Sequence, residues 1–297
     1  MSTGYPTLLK LLFDDDFREQ FSMDRARALS EVPSEVSAAF SRTSFDGLRR
    51  DAEGRKQYLM SVLCRSSPLS GAAVGAWPAG PESLSAFLAS PRLLGPPSIR
   101  NQAYGDHLAR LITLNVHRFD DQAKALMLAV LAFERGLVDS ARQLRHAIEQ
   151  RQYVEAPLRP SRSAIKNGTV SLPPFLVVVE LPVSTDLLRV SLGNVSAADA
   201  WQKISTGQVQ RARFMTVARA RAMPVTILSR CVPDGKSYLN DGDDKLPSLI
   251  KVRHRAVTLN GRQANRVASM NDRVWRSLPS AKQKLATALL EAGVLSV

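Results

Sequence analysis

Apolar residues recur at helical spacing along the start of the chain. The stripe runs from Tyr5 through Leu8–Phe13 and continues at Phe17 and Phe21, which predicts an amphipathic helical opening. The acidic run Asp14–Asp16 interrupts this stripe. Three adjacent carboxylates point in different directions around a helix, so they do not converge on a metal ion by themselves. We therefore expect the acidic run to lie on a solvated helix face.

Two further helices are predicted to follow. Ser34 precedes a short apolar face, which is the pattern of a helix N-cap. Ser44 or Asp46 then begins a third helix, whose apolar positions extend to Leu63. Residues 5–63 are thus predicted to form one compact helical unit.

The middle of the chain combines a punctuated stretch with two long helical patterns. Proline and glycine recur through residues 66–100, which predicts a loop-rich stretch with one short helix near Glu82–Leu88. Amphipathic helices are predicted near Asn101–Val116 and Asp120–Gln150. Gly136 lies within the second of them and predicts a bend or a break.

Runs of β-branched residues first appear beyond a proline-containing linker at Ala156–Ser161. Phe175–Leu181 and Leu187–Leu192 are both predicted as strands, joined through Pro182–Asp186 by a hairpin or a short loop. The remaining elements are a helix capped at Ser196–Asp199 that passes Ile204, a basic helix at Val209–Met223, a strand at Val225–Leu228, an acidic loop at Asp234–Asp244, a strand at Ile250–Leu259, and helices at Gln263–Val274 and Ser280–Ala292.

These elements predict an α+β chain whose N-terminal half is all helical. A length of 297 residues suits two or three domains. We place a small helical domain at 1–66, a helical middle region at 67–155 and a basic α+β domain at 170–297.

The net charge of +13 is unevenly distributed. Residues 1–100 hold 12 Lys or Arg against 11 Asp or Glu, residues 101–170 hold 10 against 7, and residues 171–297 hold 18 against 9. The excess therefore belongs to the last part of the chain, where its field concentrates acidic ligands. Charge alone does not choose between a peptide, a nucleic acid and a membrane surface.

Little in the sequence indicates catalysis. The motifs of serine hydrolases, helical zinc sites, phosphate-binding loops and dinucleotide-binding folds are absent. Cys64 and Cys231 lie far apart without a CxxC motif, which fits buried thiols in a reducing cytosol. An enzyme that uses Cys64 or a histidine-centred site stays open as an alternative class.

The chain is expected to be cytoplasmic and not membrane-bound. No stretch approaches the roughly 20 apolar residues that cross a bilayer. Residues 1–10 lack the basic region, apolar run and cleavage site of a secretory signal.

Basic residues cluster on the predicted helix Val209–Met223 and on the predicted strand Ile250–Leu259. Proteins that bind single-stranded nucleic acid place aromatic side chains beside such residues, and Phe214 is the only aromatic in either cluster. Duplex binding by a helix–turn–helix formed from the last two helices stays open. An extended peptide uses the charge differently, because it adds to a strand edge while arginines select its acidic side chains.

Several runs also resemble known protein families. Phe175–Leu181, Leu187–Asn194 and Ser196–Gly207, with the ending Leu285–Leu295, resemble the winged-helix-like elements that bind leader peptides in the pathways of ribosomally made, modified peptides. The opening Leu8–Phe21 resembles the small helical domain of some protocatechuate dioxygenase α-subunits and peptide-binding accessory proteins. Together they look similar to the partner proteins of multinuclear non-heme iron oxidative enzymes.

In that family the companion enzyme carries the iron ligands, and the partner presents the precursor peptide. The resemblance implies a winged-helix-like α+β C-terminal domain in a non-catalytic subunit. Such a subunit has no cofactor of its own and forms a heterodimer with the iron-dependent oxidative enzyme.

The expected ligand is an acidic precursor (leader) peptide that docks on the edge of strand 175–181 or strand 250–259. The expected contacts are Arg189, Arg211, Arg213, Arg253 and Arg255, with Val177 and Val179 on the docking strand. The alternative function is a winged-helix DNA-binding regulator, for which a steep salt dependence and a base-sequence preference are expected.

Overall fold

A computed structural model of the chain describes residues 5–30, 32–114, 120–153, 160–219, 224–234 and 251–297. Helices account for 65% and strands for 12%, so the predicted α+β class is confirmed. Most of the predicted linker, the end of the predicted basic helix and nearly all of the acidic loop lie outside the described residues. Within the described ranges, no helix is both long and apolar enough to cross a membrane.

The elements are numbered here in chain order. Helices of the first half are α1 (Tyr5–Phe13), α2 (Asp15–Met23), α3 (Arg25–Ala28), α4 (Ser34–Ser41), α5 (Phe45–Ser66), α6 (Pro68–Gly75), α7 (Gly80–Ser85), α8 (Pro97–Leu114) and α9 (Asp121–Glu149). Later helices are α10 (Arg162–Asn167), α11 (Thr185–Ser191), α12 (Ala200–Ser205), α13 (Arg211–Arg219), α14 (Gly261–Ala268) and α15 (Ser280–Glu291). The strands are β1 (Thr169–Val170), β2 (Leu176–Leu181), β3 (Val225–Pro233), β4 (Val252–Asn260) and β5 (Arg273–Val274).

The amphipathic opening is two helices, and the boundary between them is Asp14. Its backbone is extended and its side chain accepts a hydrogen bond from the Phe17 N–H at 2.9 Å, so it caps α2. Asp15 forms an ion pair with Arg18 and lies 3.7 Å from Lys56 Nζ. The prediction of a solvated face holds for the exposed Asp15 and Asp16, but Asp14 is a cap.

One of the two predicted helix starts is confirmed. Ser44 caps α5, because its side chain accepts from the Gly47 N–H at 3.4 Å. Ser34 was expected as a cap and is instead the first residue of α4, after Pro33, which has no side-chain cap bond.

The prediction of a loop-rich stretch at 66–100 is wrong, since most of it is helical. Glycine and alanine in α6 serve close packing here, not chain reversal. Leu69 through Gly75 are all buried, and α12 packs against them. A Cβ on Gly75 would lie 2.5 Å from Ile204 Cγ2, so only glycine permits this approach.

Gly136 does not break α9, which is continuous from Asp121 to Glu149. A Cβ at this position would lie 3.0 Å from Val177 Cγ1. The glycine therefore marks the place where β2 packs closely against the helix.

The chain forms two compact units, residues 1–127 with 189–216 (unit 1) and residues 128–188 with 217–297 (unit 2). Both are discontinuous in sequence, because the segment 189–216 packs with helices of the first third. In unit 1 this segment places Trp201 on α5, where its Nε1–H donates to Gln57 Oε1 at 2.6 Å. Hydrophobic periodicity is a local pattern, so it does not indicate that a later segment packs with an earlier part of the chain. The three-domain division proposed from the sequence stays a prediction.

Unit 2 is built on the antiparallel sheet β2-β3-β4. Val178, Leu228 and Val257 lie opposite one another on the three strands. Leu228 and Val257 belong to a core shared with residues of α14 and α15, so we call this side the C-terminal face. The other side, the α9 face, includes Cys231, which packs with Ala141 and Leu144 of α9. Helices thus cover both faces of the sheet.

The predicted hairpin between Phe175–Leu181 and Leu187–Leu192 is wrong, because the second segment is the helix α11. Ser184 Oγ accepts from the Leu187 N–H at 3.3 Å at its start. Leu188 and Leu192 are each 1% exposed, and their spacing of four residues suits a helix face. The strand that pairs with β2 is β3, which extends beyond the predicted end at Leu228.

Three other predicted boundaries are corrected. The basic helix begins at Arg211 and not at Val209. The strand predicted from Ile250 is β4, which begins at Val252; Ile250 itself lies outside the described residues. The helix predicted at Gln263–Val274 ends at Ala268, because residues 273–274 form β5 and pair with β1.

The packing of α12 on α6 predicts opposite effects for two Gly→Ala substitutions in unit 1. Gly75→Ala forces a methyl group against Ile204 and should lower the free energy of unfolding by about 1–3 kcal/mol. Gly54→Ala is its control, since a Cβ there meets nothing within 4 Å; it should raise that free energy by up to about 1 kcal/mol. Urea denaturation measures both, and a neutral Gly75→Ala would contradict the packing.

Candidate functional site

The candidate site is the pair of outer strands of the sheet in unit 2. Among the described strands, β2 and β4 each pair with β3 alone. These are the strands predicted at 175–181 and 250–259, and both lie at a sheet edge. An edge strand presents unpaired backbone N–H and C=O groups that another extended chain can use.

The direction of these backbone groups follows from two hydrogen bonds. Cys231 N donates to Phe175 O at 3.0 Å, and Asp234 N donates to Lys251 O at 2.8 Å. Bonded and non-bonded residue pairs alternate along an antiparallel ladder. On β2 the outward-facing residues are therefore Leu176, Val178 and Glu180; on β4 they are Val252, His254, Ala256, Thr258 and Asn260.

Strand β4 combines its outward backbone with basic side chains on the C-terminal face. Arg253 is exposed, and its Nε lies 3.7 Å from Asp234 Oδ1. Arg255 is half-buried, and its Nη1 donates to Ala292 O at 3.5 Å, just beyond α15. Of these two predicted contacts, Arg253 is the more available to a ligand, while Arg255 also holds the end of a helix.

Arg230 belongs to the same cluster and was missed by sequence reasoning. It lies on β3 directly opposite Arg255 and is 3% exposed. Its Nη1 donates to Gly293 O at 3.3 Å and to Leu295 O at 3.5 Å. The sequence does contain a signal for it, because the apolar residues Cys231 and Val232 continue the strand beyond its predicted end at Leu228.

No Asp or Glu is paired with Arg230 in the described parts of the chain. Burial lowers the pKa of its guanidinium from the ordinary value, and the nearby positive charge of Arg255 acts in the same direction. The carbonyls beyond α15 supply partial negative charge at a helix C-terminus. Arg230 and Arg255 thus place two positive charges next to each other on the C-terminal face.

The chain from Lys251 onward is mainly basic, although Asp234 directly after β3 pairs with Arg253. Residues 251–297 carry nine Lys or Arg and two Asp or Glu, a net of +7. Within β4 and Lys251, the charged residues are Lys251, Arg253 and Arg255. This edge is therefore chemically suited to an acidic extended chain.

The predicted contacts Val177 and Val179 lie on β2 but face α9. Both side chains are partly buried, and Val177 packs at Gly136. Val178, which was not predicted, is 56% exposed on the C-terminal face. The side chains of Val177 and Val179 are therefore less accessible to a ligand than the side chain of Val178.

The other three predicted arginines belong to unit 1. Arg189 lies on α11 and not on a strand. The guanidinium of Arg211 lies over the ring of Trp77, 3.4 Å from its centroid, which is a cation–π contact. Arg213 is exposed on α13. Of the five predicted arginines, the structure therefore places Arg253 and Arg255 together in unit 2, beside Arg230. The other three belong to unit 1.

The groups considered for catalysis are mostly buried. Cys64 Sγ lies 3.4 Å from the Tyr104 hydroxyl in the core, and burial raises the pKa of the Cys231 thiol to about 11. A thiol with a raised pKa is a poor nucleophile. His107 contacts the Ser83 carbonyl at 2.8 Å. In the described residues, no group of three His, Cys, Asp or Glu is arranged to hold a metal ion.

Comparison with known proteins returned no family model, no curated protein and no solved structure that matches the chain.

The buried position of Arg230 predicts a large effect of its truncation. Arg230→Ala leaves the carbonyls of Gly293 and Leu295 without their donor and opens a cavity, so the free energy of unfolding should fall by about 2–4 kcal/mol. Arg253→Ala is the matched control and should change it by no more than about 0.5 kcal/mol. Similar unfolding curves for the two variants would contradict the assigned roles.

The environment of His254 predicts lower stability at acidic pH. Burial lowers the pKa of this imidazole from its ordinary value of 6.5, and nearby Arg145 acts in the same direction. The unfolded chain therefore binds a proton that the folded chain resists, and stability falls as the pH drops below the ordinary pKa. Thermal melts across this range should show a smaller decrease for His254→Gln than for the unsubstituted chain. An identical decrease would contradict the expectation.

Proposed function

We propose that the chain is a non-catalytic cytoplasmic subunit that binds an acidic precursor (leader) peptide and presents it to an iron-dependent oxidative enzyme. The iron belongs to the partner enzyme, with which this chain forms a heterodimer. The observation that carries the peptide-binding part is the basic edge of β4. The identity of the partner rests on the resemblance described from the sequence.

Binding would proceed by strand addition. The peptide lies along β4 and forms hydrogen bonds with the outward backbone groups of Val252, His254, Ala256 and Thr258. Main-chain bonds give affinity that does not depend on the peptide sequence. Arg253, which is exposed, supplies selectivity by pairing with an acidic side chain on the C-terminal face.

The other edge is less suited to the same ligand. Glu180 is an outward-facing residue of β2, and its carboxylate repels an acidic chain. No Lys or Arg occurs between residues 171 and 188. The choice between the two predicted docking strands therefore favours the one at 250–259.

A winged-helix-like description of the C-terminal domain forms part of this proposal. Antiparallel strands β3 and β4 are followed in the chain by α14 and α15, so strands and helices of the kind such a domain contains lie together in unit 2. The DNA-binding alternative uses the same basic surface, but it predicts base-sequence preference in place of peptide selectivity.

Charge reversal at Arg253 tests the selectivity of the edge. The probe is a fluorescein-labelled synthetic peptide of alternating Glu and Thr residues, measured by fluorescence anisotropy at low salt. Arg253→Glu should weaken binding by about tenfold or more, because it replaces an attractive charge with a repulsive one. Arg142→Glu is the matched control, since Arg142 is similarly exposed and ion-paired, on α9; it should change affinity less than about twofold.

Two results would count against this assignment. One is equal weakening by both substitutions, which indicates a general charge effect. The other is equal binding of a peptide in which Lys replaces every Glu. Tighter binding of a DNA duplex than of the acidic peptide, with base-sequence preference, would favour the DNA-binding alternative.

A proline at the edge tests the mode of binding. The Ala256 N–H points away from β3, so Ala256→Pro removes an outward donor while keeping the bonds between β3 and β4. It should abolish binding of the Glu–Thr peptide and leave the circular dichroism spectrum unchanged. Val178→Pro makes the same change on β2 and should keep the affinity. The reverse result would assign the peptide to β2.

A further inference from the structure

The outer edge of β2 is not part of the proposed peptide-binding site, and its exposed central residue is apolar. Its outward backbone groups belong to Leu176, Val178 and Glu180, and β3 is its only partner among the described strands. Val178 is 56% exposed. An exposed apolar edge strand pairs readily with another chain, and natural proteins usually protect it with Lys, a bulge or a covering element.

Proline limits the length of this edge. Pro174 precedes β2 and Pro182 follows it directly, so the strand spans six residues. Proline has no N–H and cannot continue a ladder. A partner strand can therefore pair only with this six-residue segment, whose middle lies near Val178.

Charge opposes pairing with a second copy less at this edge than at the edge of β4. Residues 171–188 contain Glu180 and Asp186 and no Lys or Arg, although the whole chain carries +13. Exposed charges are screened beyond a Debye length of about 8 Å at physiological salt. Self-repulsion is thus weaker at this edge than at β4, which carries Arg253 and Arg255.

A two-fold antiparallel pairing of this strand can place its exposed apolar residue at the centre. In an antiparallel pairing centred on Val178, this residue lies opposite the same residue of the second copy. Leu176 then lies opposite Glu180, and Glu180 opposite Leu176. All three residues present their backbone groups outward, so each such pair can exchange two hydrogen bonds.

The C-terminal face gives a further complementary feature. Side chains opposite one another in a ladder share a face. Glu180 of the second copy would lie beside Leu176, whose other neighbour on the sheet is Arg230. The pairing therefore brings a carboxylate toward the face on which Arg230 and Arg255 lie.

We propose that β2 pairs with β2 of a second copy of this chain, which forms a two-fold symmetric dimer with a continuous sheet across the interface. The two-fold arrangement uses the same surface on both copies, as in most closed dimers. The basic edge of each copy is left at the outside of this sheet, open to peptide.

The test is the mass of the full chain in solution, measured by size-exclusion chromatography with light scattering and by sedimentation equilibrium. The unsubstituted chain should have about twice its monomer mass of 32.5 kDa. Val178→Pro removes the central outward N–H, and Val178→Lys puts a charge at the centre of the pairing. Both variants should have the monomer mass, and Val178→Lys keeps the test informative where the proline variant does not fold.

Ala256→Pro is the control, because it makes the same backbone change on the other edge; it should keep the dimer mass. A monomeric unsubstituted chain would overturn the proposal, as would a dimer that survives both Val178 substitutions. The result is separable from peptide binding: Val178→Pro should lose the dimer and keep affinity for the Glu–Thr peptide, whereas Ala256→Pro should do the opposite.

Discussion

Unit 2 depends on one strand, β3, which is bonded on both sides and covered on both faces. Its last seven residues are all buried. Odd-numbered residues such as Cys231 meet α9, and even-numbered residues such as Leu228 meet the core of the C-terminal helices. The described sheet has three strands with β3 in the middle, so β2 and β4 form its two edges. The arrangement that stabilises the unit thus also leaves the two strand edges on which the proposals rest.

The buried arginine of β3 follows from the same constraint. Arg230 is an even-numbered position and must enter the C-terminal face, where a charged group is costly unless it is hydrogen-bonded. Its Nη1 donates to the carbonyls of Gly293 and Leu295, in the segment that follows α15. The sheet and the end of α15 are therefore joined by a polar contact within an apolar core. This contact positions the C-terminal face of the sheet against α15 within unit 2.

How far the sequence predicted this structure depended on the range of each interaction. The cap at Ser44 and helix α15 were predicted well, because a cap and an amphipathic stripe are local patterns. The segment at Leu187–Leu192 was misassigned since its residues suit a strand, while Ser184 and the burial of Leu188 and Leu192 select a helix. Gly75 lies in the stretch predicted to be loop-rich and Gly136 was predicted to bend or break a helix, but each allows a distant residue, Ile204 or Val177, to approach. Such contacts between distant residues have no signal in a single sequence.

The site shows the same division. The two strands at 175–181 and 250–259 were predicted as strands, because β-branched residues favour strands. Their position at the two edges depends on β3, which extends further than predicted. Arg230 was missed for that reason. Once β3 is in place, its two neighbours differ in kind: β4 carries Arg253 and Arg255, whereas β2 presents Val178 and Glu180. A single ligand is poorly matched to both edges. The chemical difference therefore argues for two occupants, an acidic chain along β4 and a strand with an apolar centre, β2 of a second copy, along β2.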